Sequence, residues 1–425
     1  MTGVVAVADV TVTTQAAESM PRNASAHADR RPPRKIARDM DFAYSPEQAD
    51  LSAHLRNWMD AKVTKAQARA WEADEGNYPV RLWNLMTEQG LHAVGLPEEY
   101  GGAGSGVMDQ MIVCRELSRN LGGLSFVWGV SSFCAKSVAL YAQEVMKREL
   151  LPRLAAGEIR MSIAVTEPGG GTDLLGGMRT TASKVDGGWR INGQKIWSTG
   201  AKAADYLLVL ARTDPHASKP SRGVTMFLIP NPAAGLQIEA IPKLGMRSMS
   251  SCSVFLDDVF VAEDHVIGEV NRGWYQMLPT LNNERIMIAA MCAGVMDAVL
   301  EDALEYMQHR EAFGRPIGQF QALQHYIADI AMWRQQASLM TNHAAWLQET
   351  GQPCGTESMM AKVVATEHAG HATDLGIQIL GGMGYAQETD MQRYWRDVRL
   401  FRIGPITSEM SRNSIAESFG LPRSF

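Results

Sequence analysis

Val165-Thr166-Glu167-Pro168-Gly169-Gly170-Gly171-Thr172-Asp173 sets three consecutive glycines between two threonines. Without Cβ atoms, such a loop lets backbone N–H groups approach a phosphate or a flat ring closely, and Thr166, Thr172 and, further on, Thr199 add hydroxyl donors. Taken alone, the run is more often a turn than a ligand loop. Trp197 offers a flat apolar face, which core packing would use equally well. Arg310 is a single arginine, and a single arginine at a helix end is commonly just solvated. The five cysteines, Cys114, Cys134, Cys252, Cys292 and Cys354, are dispersed, with no CxxC pair and no Cys/His cluster. They read as reduced, buried thiols, and no metal site is expected.

These groups need a scaffold, and the chain has the composition of one. It has 425 residues, 46% of them hydrophobic and 20% charged, with 38 Gly and 18 Pro, enough for one large or two to three ordinary domains. Forty basic against forty-six acidic residues give a net charge of −6, so no global cationic field favours nucleic acid or an anionic membrane. No run approaches eighteen uncharged apolar residues, and the N-terminus lacks the regions of a secretory signal. The expectation is a cytoplasmic protein.

Residues 1–41 alternate small, polar and basic types with no apolar period, which predicts a disordered leader. Asp9, Glu18 and Asp29 argue against a transit peptide. Order is predicted from Ser45-Pro46-Glu47-Gln48, a capping box with proline at the first helical position, followed by Leu51, Leu55, Trp58 and Met59 at helical spacing. Helical patterns broken by Gly-rich stretches such as 95–106 continue through residues 42–160. Over 161–272 short runs bounded by Gly, Pro and Asp predict strands, with a turn or bulge at Asp257-Asp258. Helical periodicity returns over 273–425, as in Leu300, Ala303, Leu304 and Met307. An α, then β, then α order is unusual and restricts the candidates.

In that frame 165–173 resembles the VTEPGAGSD signature of the acyl-CoA dehydrogenase family. Asn192-Gly193-Gln194-Lys195-Ile196-Trp197-Ser198-Thr199-Gly200 is similar to its NGxKxWITNG segment, and Lys243-Leu244-Gly245-Met246-Arg247 to its KLGxR turn. Arg310-Glu311-Ala312-Phe313-Gly314 with Gln321 resembles RxxFG…Q, Gln378 to Tyr385 resembles QxxGGxGY, and Thr407-Ser408-Glu409 the C-terminal TSE. The resemblance runs in order from about residue 42 to 425. It implies an α+β fold with an N-terminal helical domain, a middle β-barrel-like domain and a C-terminal four-helix bundle. It also implies FAD as cofactor. Ile163, Val165, Thr166, Gly171, Thr172, Trp197, Thr199, Thr407 and Glu409 would contact it, Val165 and Thr166 at the pyrimidine side, Thr199 at the N5 edge and Trp197 beside the ring. Arg310 would reach the diphosphate of a neighbouring subunit's FAD, with Phe313 near the adenine and Gln321, Gln378, Gly381 and Gly382 along the same crevice. A homo-oligomer, usually a tetramer, follows.

Dehydrogenation of an acyl thioester needs a carboxylate to take the α-proton while the flavin accepts the β-hydride. In most of the family that carboxylate lies in RIYEGTSE, where this chain has Arg402-Ile403-Gly404-Pro405-Ile406-Thr407-Ser408-Glu409. Pro405 cannot take a proton. Isovaleryl-CoA dehydrogenases instead place the base in a helix pattern like LDxERxxxA, which resembles Leu281-Asn282-Asn283-Glu284-Arg285-Ile286-Met287-Ile288-Ala289. Glu284 is the implied base, although a surface glutamate is the plainer reading of an isolated Glu-Arg pair. Apolar walls such as Met287 would raise its pKa towards neutrality. Arg285 and Thr172 are implied near the CoA moiety; for Arg285 a structural salt bridge competes. Pro405 also lacks the backbone N–H that in the family helps hold the thioester oxygen, so the Ile406 amide must move into its place or the substrate must be held differently.

The expected activity is FAD-dependent α,β-dehydrogenation of an acyl-CoA or carrier-bound thioester, with electrons passed to an electron-transferring flavoprotein. An enoyl-CoA reductase and an oxygen-using oxidase or monooxygenase of the same fold are the alternatives. Met108, Met111, Trp128, Phe133 and Met277 would either line an acyl pocket or fill the core.

Overall fold

Helix α1 (Pro46–Lys62) starts where a capping box satisfies two backbone donors: Ser45 Oγ accepts from the Gln48 N–H at 3.2 Å, and Gln48 Oε1 accepts from the Ser45 N–H at 3.1 Å. The computed structural model describes residues 42–423, so the leader expected over 1–41 lies outside the described residues. Helices α2 (Lys65–Ala73), α3 (Val80–Glu88), α4 (Val107–Leu121), α5 (Phe126–Tyr141) and α6 (Glu144–Ala155) follow. By length and composition 107–141 could cross a membrane, but 78% of its apolar window is buried inside the protein, as in a core helix.

The β region comprises β1 (Met161–Ala164), β2 (Thr181–Val185), β3 (Gly188–Thr199), β4 (Tyr206–Arg212), β5 (Val224–Pro230), β6 (Leu236–Ile241), β7 (Ser251–Ala262) and β8 (Val266–Ile267). They form one mixed sheet in the order β6-β7-β3-β2-β4-β5-β8, with β1 pairing parallel to β4. The expected β-barrel-like domain is thereby corrected, because the sheet is open. Closure requires the end strands to pair. Here β8 is two residues long and leads into the next helix, and β6 alternates half-buried with exposed residues along a free outer edge. At Asp257-Asp258 the chain runs on as one strand, with a register shift against β3 and Asp258 at φ 54°.

Helix α7 (Gly273–His309) carries a nearly unbroken buried stretch from Arg285 to Val299, each large apolar side chain contributing about 1.5–3 kcal/mol on leaving water. A small hairpin, β9 (Glu311–Ala312) with β10 (Arg315–Pro316), leads to α8 (Gln321–Glu349) and α9 (Gly355–Leu380). Then come α10 (Gly382–Tyr385), α11 (Met391–Phe401) and α12 (Ser408–Ser418). The short connections make α7, α8 and α9 antiparallel neighbours. The helices on the two sides of the sheet in sequence share one core: Leu55, Met111, Leu117, Met291, Val295, Ala365 and Val398 belong to a single apolar cluster. Met108, Met111, Trp128, Phe133 and Met277 are buried in the cores. All five cysteines are buried and unbridged.

Candidate active site

The glycine-rich loop is fixed by a buried ion pair. Lys195 Nζ lies 2.7 Å from Glu167 Oε1, with the two side chains 0% and 6% exposed, and Nζ also reaches the Val165 carbonyl at 3.2 Å. The Glu167 carboxylate accepts from the backbone N–H groups of Arg179 (2.6 Å) and Thr180 (3.0 Å). Burial pushes the Glu167 carboxyl up, but the Lys195 charge and these hydrogen bonds outweigh it and hold it below the usual range. Burial draws the Lys195 ammonium down to about 8 against the pull of Glu167.

Beside the loop, β3 carries a bulge: between the pairs Lys195–Val254 and Ser198–Cys252, Ile196 and Trp197 face the single residue Ser253. The Ile196 N–H is thereby free to reach the Thr166 carbonyl at 2.8 Å. Trp197 takes φ 63° and leaves its indole 55% exposed, so the core-packing reading of this residue does not hold in the single chain. Ser162 Oγ donates to the Thr199 carbonyl at 2.7 Å and ties β1 to the end of β3. Ile163, Val165, Thr166, Trp197 and Thr199 are thus brought together, with Gly171 and Thr172 on the exposed part of the loop. An ideal Cβ at Gly169 or Gly171 would meet nothing within 4 Å, so their glycines answer to no protein neighbour.

Glu284 and Arg285 sit on the N-terminal half of α7. There Leu281 packs against the apolar cluster that contains Cys134, and Ile163 and Val165 pack against the same cluster, so this turn of α7 and the start of the loop share one core. Glu284 is only partly exposed, and burial raises its pKa to about 7, with the Arg285 charge opposing. Arg285 is buried, donates to Asn282 Oδ1 at 2.7 Å and keeps Nε without a partner. Among the described residues no carboxylate lies within ion-pair distance of it, so the structural salt bridge is not what holds it there. Asn283, just before Glu284, is buried in a polar knot, receiving bonds from Lys136 (3.2 Å) and Gln348 (3.0 Å) and donating to Gln110 (3.1 Å). Thr407 caps α12 through the Met410 N–H, and Glu409 lies exposed in its first turn.

The remaining predicted residues lie at the other end of the helices. Arg310 follows Glu284 by 26 residues along α7, about 39 Å of helical rise. Phe313 (94% exposed, φ 54°) is in the adjoining hairpin, Gln321 opens α8, Gln378 lies in the last turn of α9, Gly381 caps it and Gly382 opens α10, all on the surface. Within one chain the fold does not bring this second group to Thr199 and Glu284.

Several residues that hold the site were not singled out in the sequence. Glu167 and Lys195 stand in quoted motifs, where a charged residue on an inward strand position was the available signal. Asp397, on α11, accepts from the Met246 N–H (2.8 Å) and the Gly123 N–H (3.1 Å), and Glu72 accepts from the Arg247 N–H (2.8 Å), so the Lys243–Arg247 turn is clamped from two helices. Lys362 donates to the Ile406 carbonyl at 2.7 Å. Nothing local in the sequence marks Asp397 or Lys362.

Three family models cover the chain: acyl-CoA dehydrogenase N-terminal domain over 45–158, middle domain over 162–259 and C-terminal domain over 271–420. The mitochondrial isovaleryl-CoA dehydrogenase of Oryza sativa subsp. japonica is 37% identical over 335 residues, 78% of this chain and 81% of that protein. A chain from work on the electron transferring flavoprotein of Acidaminococcus fermentans and flavin-based electron bifurcation superposes with TM-score 0.85 at 28% identity, over 89% of this chain and 99% of that one. PigA with FAD and proline gives TM-score 0.85 at 27% identity, over 90% and 100%.

Proposed function

This chain belongs to the acyl-CoA dehydrogenase family, and from that premise we propose that it oxidises an acyl-CoA thioester across Cα and Cβ with FAD, Glu284 serving as the base. The residues present fit the cofactor. Gly169 and Gly171 leave room where a Cβ would stand, Trp197 offers an uncovered indole, and Thr166 and Thr199 flank it on backbone that is already tied down. FAD, when bound, would accept the β-hydride, and its electrons would pass on to an electron-transferring flavoprotein.

The chain's own part is the proton. One Glu284 carboxylate oxygen takes the α-proton as the Cα–H pair becomes the new C=C bond, and the β-hydrogen leaves with the other pair. The observation that carries this reading is the placing of the Glu284 carboxyl on the turn of α7 that shares an apolar core with the loop, where burial raises its pKa to about 7, in a chain with Pro405 at the position of the family's usual acid. A base titrating near neutrality is ionised often enough to act and basic enough to compete for the α-proton. Arg285 beside it keeps the carboxylate from rising further. Arg310 lies about 39 Å of helical rise from Glu284, with Phe313, Gln321, Gln378, Gly381 and Gly382 at the same end of the helices, so in this reading they serve the FAD of a second copy, and the working protein is a homo-oligomer.

Anaerobic mixing with a panel of straight, branched and carboxylated acyl-CoAs tests the proposal. At least one should bleach the flavin absorbance, with slow reoxidation in air. Bleaching by none, or rapid peroxide formation on admitting oxygen, would overturn it.

A further inference from the structure

A cleft lies between Tyr44, which precedes α1, and helices α4 and α8. Tyr44, Arg115, Gln335, Ser338, Leu339 and Asn342 line it, and it encloses about 270 Å³. Gln335 and Leu339 are exposed, so it opens to solvent. That volume is at the lower edge of small-molecule sites and suits one compact group, not a nucleotide.

The charges around the cleft do not balance. Asp297 of α7 is buried and accepts three hydrogen bonds from two arginines: Arg115 Nε (2.9 Å), Arg115 Nη2 (3.3 Å) and Arg334 Nη1 (2.9 Å). The other carboxylate that acts on Tyr44 is Glu116, which accepts from Arg56 Nε at 3.1 Å and Ser52 Oγ at 2.8 Å. Arg56, Arg115 and Arg334 thus face Asp297 and Glu116, three positive charges against two negative.

Donors are in surplus as well. Tyr44 Oη is buried and makes no hydrogen bond among the described residues. Burial raises its pKa against the pull of Arg115, so the hydroxyl keeps its proton and stays a donor. Arg334 Nε is likewise buried and unbonded. Arg115 engages Asp297 through Nε and Nη2, which leaves the Nη1 group of its guanidinium to offer. Buried donors without acceptors and a guanidinium that shares its counter-ion are both costly, and one ligand carrying negative oxygen relieves the two together.

We infer that this cleft binds a small oxyanion, a phosphate or carboxylate group, with Arg115 and Tyr44 as its donors and Arg334 keeping Asp297 from cancelling the Arg115 charge. Asp297 lies 13 residues after Glu284 and 13 before Arg310 along α7, about 20 Å of helical rise each way. The cleft is therefore separate from both groups of residues described above, and the inference does not rest on the dehydrogenase reading.

Titration of the FAD-loaded protein with inorganic phosphate and with citrate tests it, by calorimetry and by the thermal midpoint, at constant ionic strength with chloride making up the balance. At least one of the two anions should bind saturably and raise the midpoint. Arg115→Gln should weaken that binding about tenfold or more and Tyr44→Phe about threefold or more, with FAD content unchanged. Tighter binding of phosphate assigns the cleft to a phosphoryl group, and tighter binding of citrate assigns it to a polycarboxylate. The inference is overturned if neither anion binds, or if both variants bind as the wild type does. Should Arg115→Gln not fold, Arg334→Gln combined with Tyr44→Phe decides by the same criteria.

Discussion

The ammonium of Lys195 and the carboxylate of Glu167 meet at 2.7 Å with both side chains buried, one in the bulged strand β3 and the other in the glycine-rich loop. The pair joins the two segments that carry Val165, Thr166, Trp197 and Thr199. Its cost is desolvation, and it is met by backbone donors on one side and the Val165 carbonyl on the other.

Lys195→Met should therefore destabilise the protein by about 3–5 kcal/mol, because it leaves the Glu167 charge buried without its partner. The accompanying change is release of the loop, read as weaker FAD retention on gel filtration. Glu167→Gln, which keeps an acceptor for one of the two backbone N–H groups, should cost less. Equal melting temperatures for Lys195→Met and wild type would contradict this account.

Glu284→Gln should lower the rate of flavin bleaching by acyl-CoA by about 10²–10⁴-fold while leaving FAD bound. In the wild type that rate should climb with pH through about 7, as the carboxyl ionises. Stability runs the other way. The folded-state pKa is raised from 4.5 to about 7, so the folded protein binds the extra proton in that window, and the carboxyl's contribution is lost as pH rises through it. Relative to wild type, the Gln variant should gain about 1–3 kcal/mol between pH about 4.5 and about 8, the lower figure allowing for partial solvent access. Thermal melts at both pH values check this.

Trp197 is exposed and in a left-handed backbone conformation, so its side chain contributes little to the fold of the single chain. Trp197→Ala should change the apoprotein's stability by no more than about 0.5 kcal/mol while weakening FAD about tenfold, measured by quenching of flavin fluorescence.

Asp397 is 1% exposed, and its oxygens accept from two backbone N–H groups in different parts of the chain. Asp397→Ala would orphan both donors, at roughly 1–3 kcal/mol each. Chemical denaturation should show a loss of about 2–6 kcal/mol, with the Lys243–Arg247 turn among the segments that gain hydrogen-exchange rate.

Much of this protein is legible in short stretches. The capping box at Ser45 and Gln48, the α–β–α order of periodicities, the glycine loop, the Glu284-Arg285 pair and the proline at 405 are local patterns, and local patterns follow from covalent chemistry and spacing alone. Whether the strands close is not of that kind. Alternating runs of this length suit a barrel and an open sheet equally, and only the pairing of β1 with β4, the shortness of β8 and the free edge of β6 decide for the open form.

By itself the sequence determined the kinds of side chain available and the family they belong to. Tertiary structure decided which partner each buried charge meets: Lys195 the Glu167 carboxylate across 28 residues, Lys362 the Ile406 carbonyl across 44 and Asp397 the Met246 N–H across 151. It also set the pKa of Glu284, since a carboxyl's proton affinity depends on the water that packing removes from it, and no spacing along a chain records that.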